Sequence, residues 1–293
     1  MADTASKLQI SELDFDTIKS NLKNFLSDQN EFSDHNFDGS AMSVLLDVLS
    51  YNTHYNAFYL NMIANEMFLD TASIRNSVVS RAKHLGYTPK SVLGAKAYVD
   101  IKVVPADTPS TIVLAKDTQF SSTLNGISYI FCTSKSTTIS LDANGNYETA
   151  NVELSQGIPL THRYTANTAD PDQSFLLPNA NTDTSGLTVK IQTSATVSNL
   201  YTYTLANDTT SVNSTANVYW LEESEDGKYK VLFGDGIVGR APISGNIIIL
   251  SSLIADATAP NGAKTFTPVS GVGGYSNVTV TTLTNAFGGA ERD

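Results

Sequence analysis

The chain has 293 residues, 41% of them hydrophobic and only 16% charged, with a formal net charge of −11 and a pI near 4.7. That length buries one large core or two moderate ones, and low charge among many Ser, Thr, Asn and Gly residues favours short strands and loops over long charged helices. No Lys/Arg cluster marks a nucleic-acid partner, and no apolar run approaches the ~18 residues of a membrane span. The lone Cys132 excludes an intrachain disulfide framework and multi-cysteine zinc patterns. Its setting, "SYIFCTS", reads as a strand with a buried structural thiol. The polar start "MADTASKLQISELDFD" has no apolar signal-peptide core, so folding in a reducing cytoplasm is the expectation.

The first ~90 residues read as helices. "DFDTIKSNLKNFL" offers Asp14 or Asp16 as N-cap, with Ile18, Leu22, Phe25 and Leu26 at helical spacing. After the break "SDHNFDGS" comes "AMSVLLDVLSYNTHYNAFYLNMIANEMFL". There Leu45, Leu49, Asn52, Asn56, Tyr59 and Ile63 fall near one stripe, and Leu46, Phe58 and Met62 widen it. A helix apolar over so much of its circumference needs neighbours on more than one side. Either it lies at the centre of its own domain, with Leu45, Leu49, Tyr59 and Ile63 on the chain's own sheet, or it awaits another chain. A third helix, "TASIRNSVVSRAKHLGY", has Ser73 as its expected N-cap and Gly86 as its C′ glycine, and Pro89 prevents resumption.

From about Ala95 the period changes to two, beginning with "AKAYVDIKVVP". Further strands are expected in "STIVLAKDTQFSS", "ISYIFCTS", "KSTTISL", "NVELSQG" and "HRYTAN", with an Asn144-Gly145 hairpin turn in "DANGNYET". The polar stretch "PDQSFLLPNANTDTSG" separates this block from "LTVKIQTS", "VYWLEES", "YKVLFG", "NIIILSSL" and "NVTVTTL". Helices first and strands afterwards predict an α+β fold, mainly antiparallel. The expected division is a helical, partner-bundling segment 1–92, a first β-rich domain 93–178 and a second β-rich domain 179–293.

"YKVLFGDGIVGRAPISGN" holds Gly234, Gly236 and Gly239 at the G-x-G-x-x-G spacing of dinucleotide loops. Such a loop needs a helix at its third glycine, whose N-terminus holds the pyrophosphate. Here Pro242, Gly245 and a β-branched run follow, so the expected reading is a structural turn of Gly234, Asp235, Gly236, Gly239 and Gly245, with Asp235 and Arg240 paired across it. Asp142, Asn144, Asn146 and Glu148 resemble a calcium loop only faintly, being too short with the glycine misplaced. His35, His54, His84 and His162 form no metal motif, and the Glu222–Glu223 and Glu225–Asp226 pairs sit in a polar turn. The N-x-S/T triplets at Asn207, Asn213 and Asn277 are expected by chance in such a chain. No catalytic constellation, cofactor or metal is expected.

Three stretches carry a family resemblance when taken in order: "NEMFLDTASIRNSVVSRAKHLGYTPKSVLGAKA", "GKYKVLFGDGIVGRAPISGNIIILSSL" and the terminal "AFGGAERD". Helix, "LGYTP", strand, then "FGDG…G…P..G" and "GGAE" resemble the baseplate-J-like family, and within it the ring-forming baseplate wedge subunits of T-even-like contractile-tailed bacteriophages. "QGIPLTHRY", "FLLPNANTDTSGLTVKI" and "VYWLEES" fall in compatible order, so the likeness spans nearly the whole chain. Wedge proteins of this type continue beyond the "GG-A-E" motif, so the resemblance implies either a C-terminally truncated or partly ordered form or a short homologue.

The resemblance implies a structural, non-enzymatic virion subunit, made in the bacterial host cytoplasm and placed in the tail baseplate. Its implied partners are other wedge subunits, a second copy of itself, and tail hub or sheath-initiating proteins, in a ring that rearranges as the tail contracts. Candidate interface residues are Ile18, Leu22, Phe25, Leu45, Leu49, Tyr59 and Ile63. An alternative is a β-rich glycan-binding adhesin module of a tail or cell surface, suggested by Thr/Asn-rich strands and by Tyr201 and Tyr203. A third, an enzyme, lacks a supporting motif.

Overall fold

The computed structural model describes residues 14–29, 37, 39–142, 145–170, 173–206, 211–224 and 227–293. The chain forms two units, Met1–Tyr87 and Thr88–Asp293. Asn144 and His35 lie outside the described residues, as do Asn207, Glu225 and Asp226.

The first unit is helical: α1 (Phe15–Ser27), α2 (Ala41–Glu66) and α3 (Arg75–His84). Asp14 caps α1, its carboxylate accepting from the Thr17 N–H at 2.8 Å and the Thr17 hydroxyl at 2.6 Å. Ser40 caps α2 through the Ser43 N–H at 3.0 Å. Each cap satisfies an N–H that the first helical turn cannot pair internally. Ser73, the expected cap of α3, is displaced from that role. Ile74 occupies the N-cap position without a side-chain bond, and the Glu66 carboxylate at the end of α2 instead accepts from the Ser73 N–H and hydroxyl and the Ile74 N–H. These donors hold Glu66 well below its ordinary value of 4.5, at about 2, with the Ser73 N–H the largest cause. Gly86 ends α3 as expected. It has φ +76°, its N–H reaches Lys83 O and the Tyr87 N–H reaches Ala82 O, the paired bonds of a Schellman cap.

The second unit is β. Its early strands are β1 (Lys96–Val103), β2 (Thr111–Leu114), β3 (Gln119–Leu124), β4 (Ile127–Thr133), β5 (Thr137–Ser140), β6 (Tyr147–Gln156) and β7 (Ile158–Thr165). Then come β8 (Phe175–Leu177), β9 (Thr182–Gln192), β10 (Leu200–Leu205), β11 (Val218–Glu223), β12 (Tyr229–Phe233), β13 (Ile247–Ile254), β14 (Thr267–Pro268) and β15 (Val278–Phe287). One sheet runs β14-β3-β4-β6-β1-β15, a second runs β7-β13-β9-β10-β11-β12-β8, and β2 pairs with β5. All pairings are antiparallel except β10 with β11, so the fold is α+β with mainly antiparallel strands.

Burial alternates along β1, with Ala97, Val99, Ile101 and Val103 inward, as a strand with one face on a core requires. They join Ile112, Leu114, Phe120, Phe131 and Leu154 in the first core, where Phe131 meets Phe266 edge-on at 4.9 Å. A second core gathers Phe175, Leu177, Val189, Tyr229, Val231, Ile248 and Leu250. Cys132 is buried, its thiol pushed up to about 12 chiefly by desolvation. It is a packing residue.

Candidate assembly surface and glycine-rich turn

Two regions drawn from the sequence carry geometry that bears on function, the surface of α2 and the turn after β12. On α2 the buried positions are Ser43, Leu46, Ser50, Ala57, Asn61, Ala64 and Asn65. Ser43, Ser50, Ala57 and Ala64 recur every seventh residue, and α1 packs on α2, with Lys19 paired to Asp47. Apart from Leu46, the helix therefore buries mainly small and amide residues, the small ones allowing close approach, and turns its other large apolar residues outward. Leu45, Leu49, Tyr59 and Ile63 are 46 to 58% exposed, and Phe25 on α1 is 65% exposed. Ile18 is buried and Leu22 half-buried, so both are taken up within the helical unit.

Sequence reasoning missed the aromatic ladder on that surface. Tyr51 and Tyr55 stack edge-on at 4.6 Å with their hydroxyls 3.0 Å apart, Tyr59 follows Tyr55 at 6.3 Å, and Phe58 meets Tyr59 at 5.9 Å. The shared hydroxyl bond to Tyr51 pushes the Tyr55 phenol up from its ordinary value. The i, i+4 spacing of the tyrosines was the available signal. Val44, Val48, Leu60 and Met62 extend the exposed apolar surface.

The glycine-rich turn is a connection between strands. Gly234 follows β12, and β13 begins at Ile247 with no helix between. A Cβ on Gly234 would lie 2.1 Å from Val238 O, and Gly239, at φ +81°, rests under Trp220 and Val218. Only glycine tolerates such approach of backbone to backbone. Gly236 and Gly245 also hold positive φ. The expected Asp235–Arg240 pair is replaced. Asp235 Oδ1 accepts from the Ile237 N–H at 2.8 Å and the Val238 N–H at 2.9 Å, which lowers its pKa, the Val238 bond contributing most. Arg240 lies over the Tyr201 ring at 5.9 Å. The turn's own backbone is closer to the carboxylate and already presents the donors it needs.

The other sequence candidates disperse. Asp142 accepts from the Asn146 N–H, while Glu148 turns away to Lys102 at 2.8 Å. Glu222 pairs with Lys230 at 3.2 Å and the adjacent Glu223 is buried, so the two leave opposite faces of β11. Tyr203 is buried against Phe233 and only Tyr201 is exposed, so the two do not form a shared surface platform. Among the described residues no group of three or more His, Cys, Asp or Glu could hold a metal.

The end of the first resemblance stretch, from Thr88 on, meets the other two in the β unit. Leu93 and Ala290 exchange backbone bonds at 2.9 and 3.1 Å, Lys90 and Asp293 pair beside them, and the Tyr229 hydroxyl donates to Pro89 O at 3.0 Å. Asn261 clamps both the N–H and the C=O of Gly289. "TPKSVLG" is thus tied to "GGAERD" by backbone bonds and to "KYKVLFG" by the Tyr229 hydroxyl.

Comparison with known proteins points to the same family as the resemblance. Residues 14–87 match the family described as baseplate wedge protein gp6-like, helical domain. Over 272 residues the chain is 25% identical to the baseplate wedge protein gp6 of Enterobacteria phage T4, a span covering 86% of this chain and 40% of that protein. The chain thus spans less than half the length of that relative.

Proposed function

For a chain that resembles a baseplate wedge protein over most of its length, we propose a structural subunit of a phage tail baseplate wedge that acts through protein–protein contacts. The observation that carries this reading is the outward apolar and aromatic surface of α2. Large exposed apolar patches mark interaction sites, and each large side chain left in water forgoes roughly 1.5–3 kcal/mol that burial would return. Tyr-rich surfaces supply rigid contact area of the kind found at binding hot spots. The helical segment, 1–92, is the partner-bundling part, and Phe25, Leu45, Leu49, Tyr59 and Ile63 face the partners: other wedge subunits and a second copy of the chain. Tail hub or sheath-initiating proteins complete the surroundings, in the virion baseplate, and the contacts rearrange as the tail contracts. The β portion, 93–293, serves as scaffold, and the turn at Gly234, Asp235, Gly236, Gly239 and Gly245 is structural. The wedge gp6 likeness favours this non-catalytic role over an enzyme.

The test is co-expression of the chain with the other wedge proteins of its phage, followed by pull-down and light scattering. The expected result is a stable complex that is lost in a Leu45→Ser/Leu49→Ser/Tyr59→Ser variant whose helical circular dichroism is unchanged. A monomer that ignores every wedge partner ends this reading.

A further inference from the structure

Within the β unit, a cleft of about 210 Å³ opens among β1, β6, β7, β9 and β13, where strands of both sheets converge. Its lining includes Lys96, Lys116, Asp117, Glu153, Asp183 and Ser252. Three features show that its polar groups are unevenly committed. Asp183 is saturated, accepting from the Gly94 N–H and from the Ser185 N–H and hydroxyl. Ser252 is only 6% exposed, yet its hydroxyl has no protein partner. The Lys116 ammonium makes one long bond, 3.4 Å, to the Thr188 hydroxyl. The Ser252 hydroxyl is closed off from solvent, so the uncommitted group that an incoming polar group can reach is the Lys116 ammonium.

A second cleft of about 280 Å³ adjoins the first, sharing Ser134 and Glu153 and adding Tyr98, Lys135 and Asn151. Glu153 stands at the join, ion-paired to Lys96 at 3.1 Å and accepting from the Tyr98 hydroxyl at 3.4 Å.

The lining chemistry narrows the ligand. Three carboxylates against two ammonium groups disfavour an anion in the first cleft. No trio of metal ligands occurs among the described residues. Seven Ser and Thr residues line the first cleft, five of them already bonded within the protein but with hydroxyl oxygens that can still accept, while Pro159, Leu160 and Leu253 provide an apolar flank. An uncharged ring bearing many hydroxyls and a C–H face matches both sets. The first cleft lies below the roughly 300 to 1,000 Å³ that takes a drug-sized ligand, so it suits a single ring unit.

We propose that the two joined clefts bind a short, uncharged saccharide, one ring beside Lys116 and the next beside Tyr98. This rests on neither the α2 surface nor Tyr201.

Glucose, N-acetylglucosamine and their β-linked dimers, cellobiose and diacetylchitobiose, serve as probes in saturation-transfer NMR and titration calorimetry. At least one dimer is expected to bind about tenfold more tightly than its monomer, because only the dimer fills both clefts. Glu153→Gln should weaken that binding about tenfold, and Lys116→Ala, on an exposed side chain that folding does not need, should weaken it measurably. Tyr201→Ala should leave it unchanged. The proposal is overturned if no probe shows saturation transfer, if no dimer outbinds its monomer, or if binding persists undiminished in both the Glu153 and Lys116 variants. Loss of wedge association leaves these readouts untouched, so the two readings fail separately.

Discussion

Along β1 every second residue turns inward, and Phe120, Phe131, Leu154 and Leu250 are fully buried in the cores behind the sheets. Along α2 the order is reversed, with Ser43, Ser50, Ala57 and Ala64 inside and Leu45, Leu49, Tyr55, Tyr59 and Ile63 outside. The β unit has its hydrophobic gain within one chain, whereas the helical unit leaves much of its own unspent. A helix whose largest side chains face water in a folded chain is shaped for association, because burying them elsewhere recovers the transfer free energy. The contrast is open to five tests.

Phe131→Ala should have the largest effect, about 3–5 kcal/mol, since it opens a cavity beside Phe266 in a close-packed core. The single Trp220, on β11 in the same unit, reports it as a lowered midpoint in denaturant. Next, Leu46→Ala, at one of the few large buried positions of α2, should cost about 2–4 kcal/mol in the helical signal. Its neighbour Leu49→Ala should stay within about 0.5 kcal/mol while reducing wedge association. Equal costs at positions 46 and 49 would erase the distinction between the two faces.

In the β unit, Asp235→Ala removes the acceptor for two turn N–H groups and should lower the denaturant midpoint by less than Leu46→Ala does, without altering association. The helical unit carries its own acid dependence. Glu66 has a folded pKa of about 2 against an ordinary 4.5, so the unfolded chain binds the proton first. Its contribution is present in full above about pH 4.5 and disappears as the pH falls towards 2. Circular dichroism of Glu66→Gln should show a flatter acid limb than the parent protein. The smallest effect concerns Cys132, which should stay unlabelled by thiol reagents at neutral pH until the β unit unfolds, because burial holds it protonated.

Local chemistry was the most legible part of the chain. Asp14 and Gly86 work as helix boundaries through bonds made within a few residues, which composition and spacing can reveal. Ser73 misled because its competitor, Glu66, sits seven residues earlier and reaches it only after the chain turns. The strand after Gly239 excluded a helix there, and the period-two segments located most strands. The pairing of β1 with β15, some 180 residues later, left no local trace. Nor did the seventh-residue run of small side chains on α2 register beside its louder apolar pattern.

By itself the sequence determined the helix-then-strand order, the caps at Asp14 and Gly86 and the glycine turn, because these depend on near neighbours and on backbone stereochemistry. Tertiary structure alone decided which face of α2 is outside, which acceptor takes each N–H and which distant strands share a sheet. Those choices are competitions between groups far apart in the chain, settled only when packing brings the competitors within reach of the same partner.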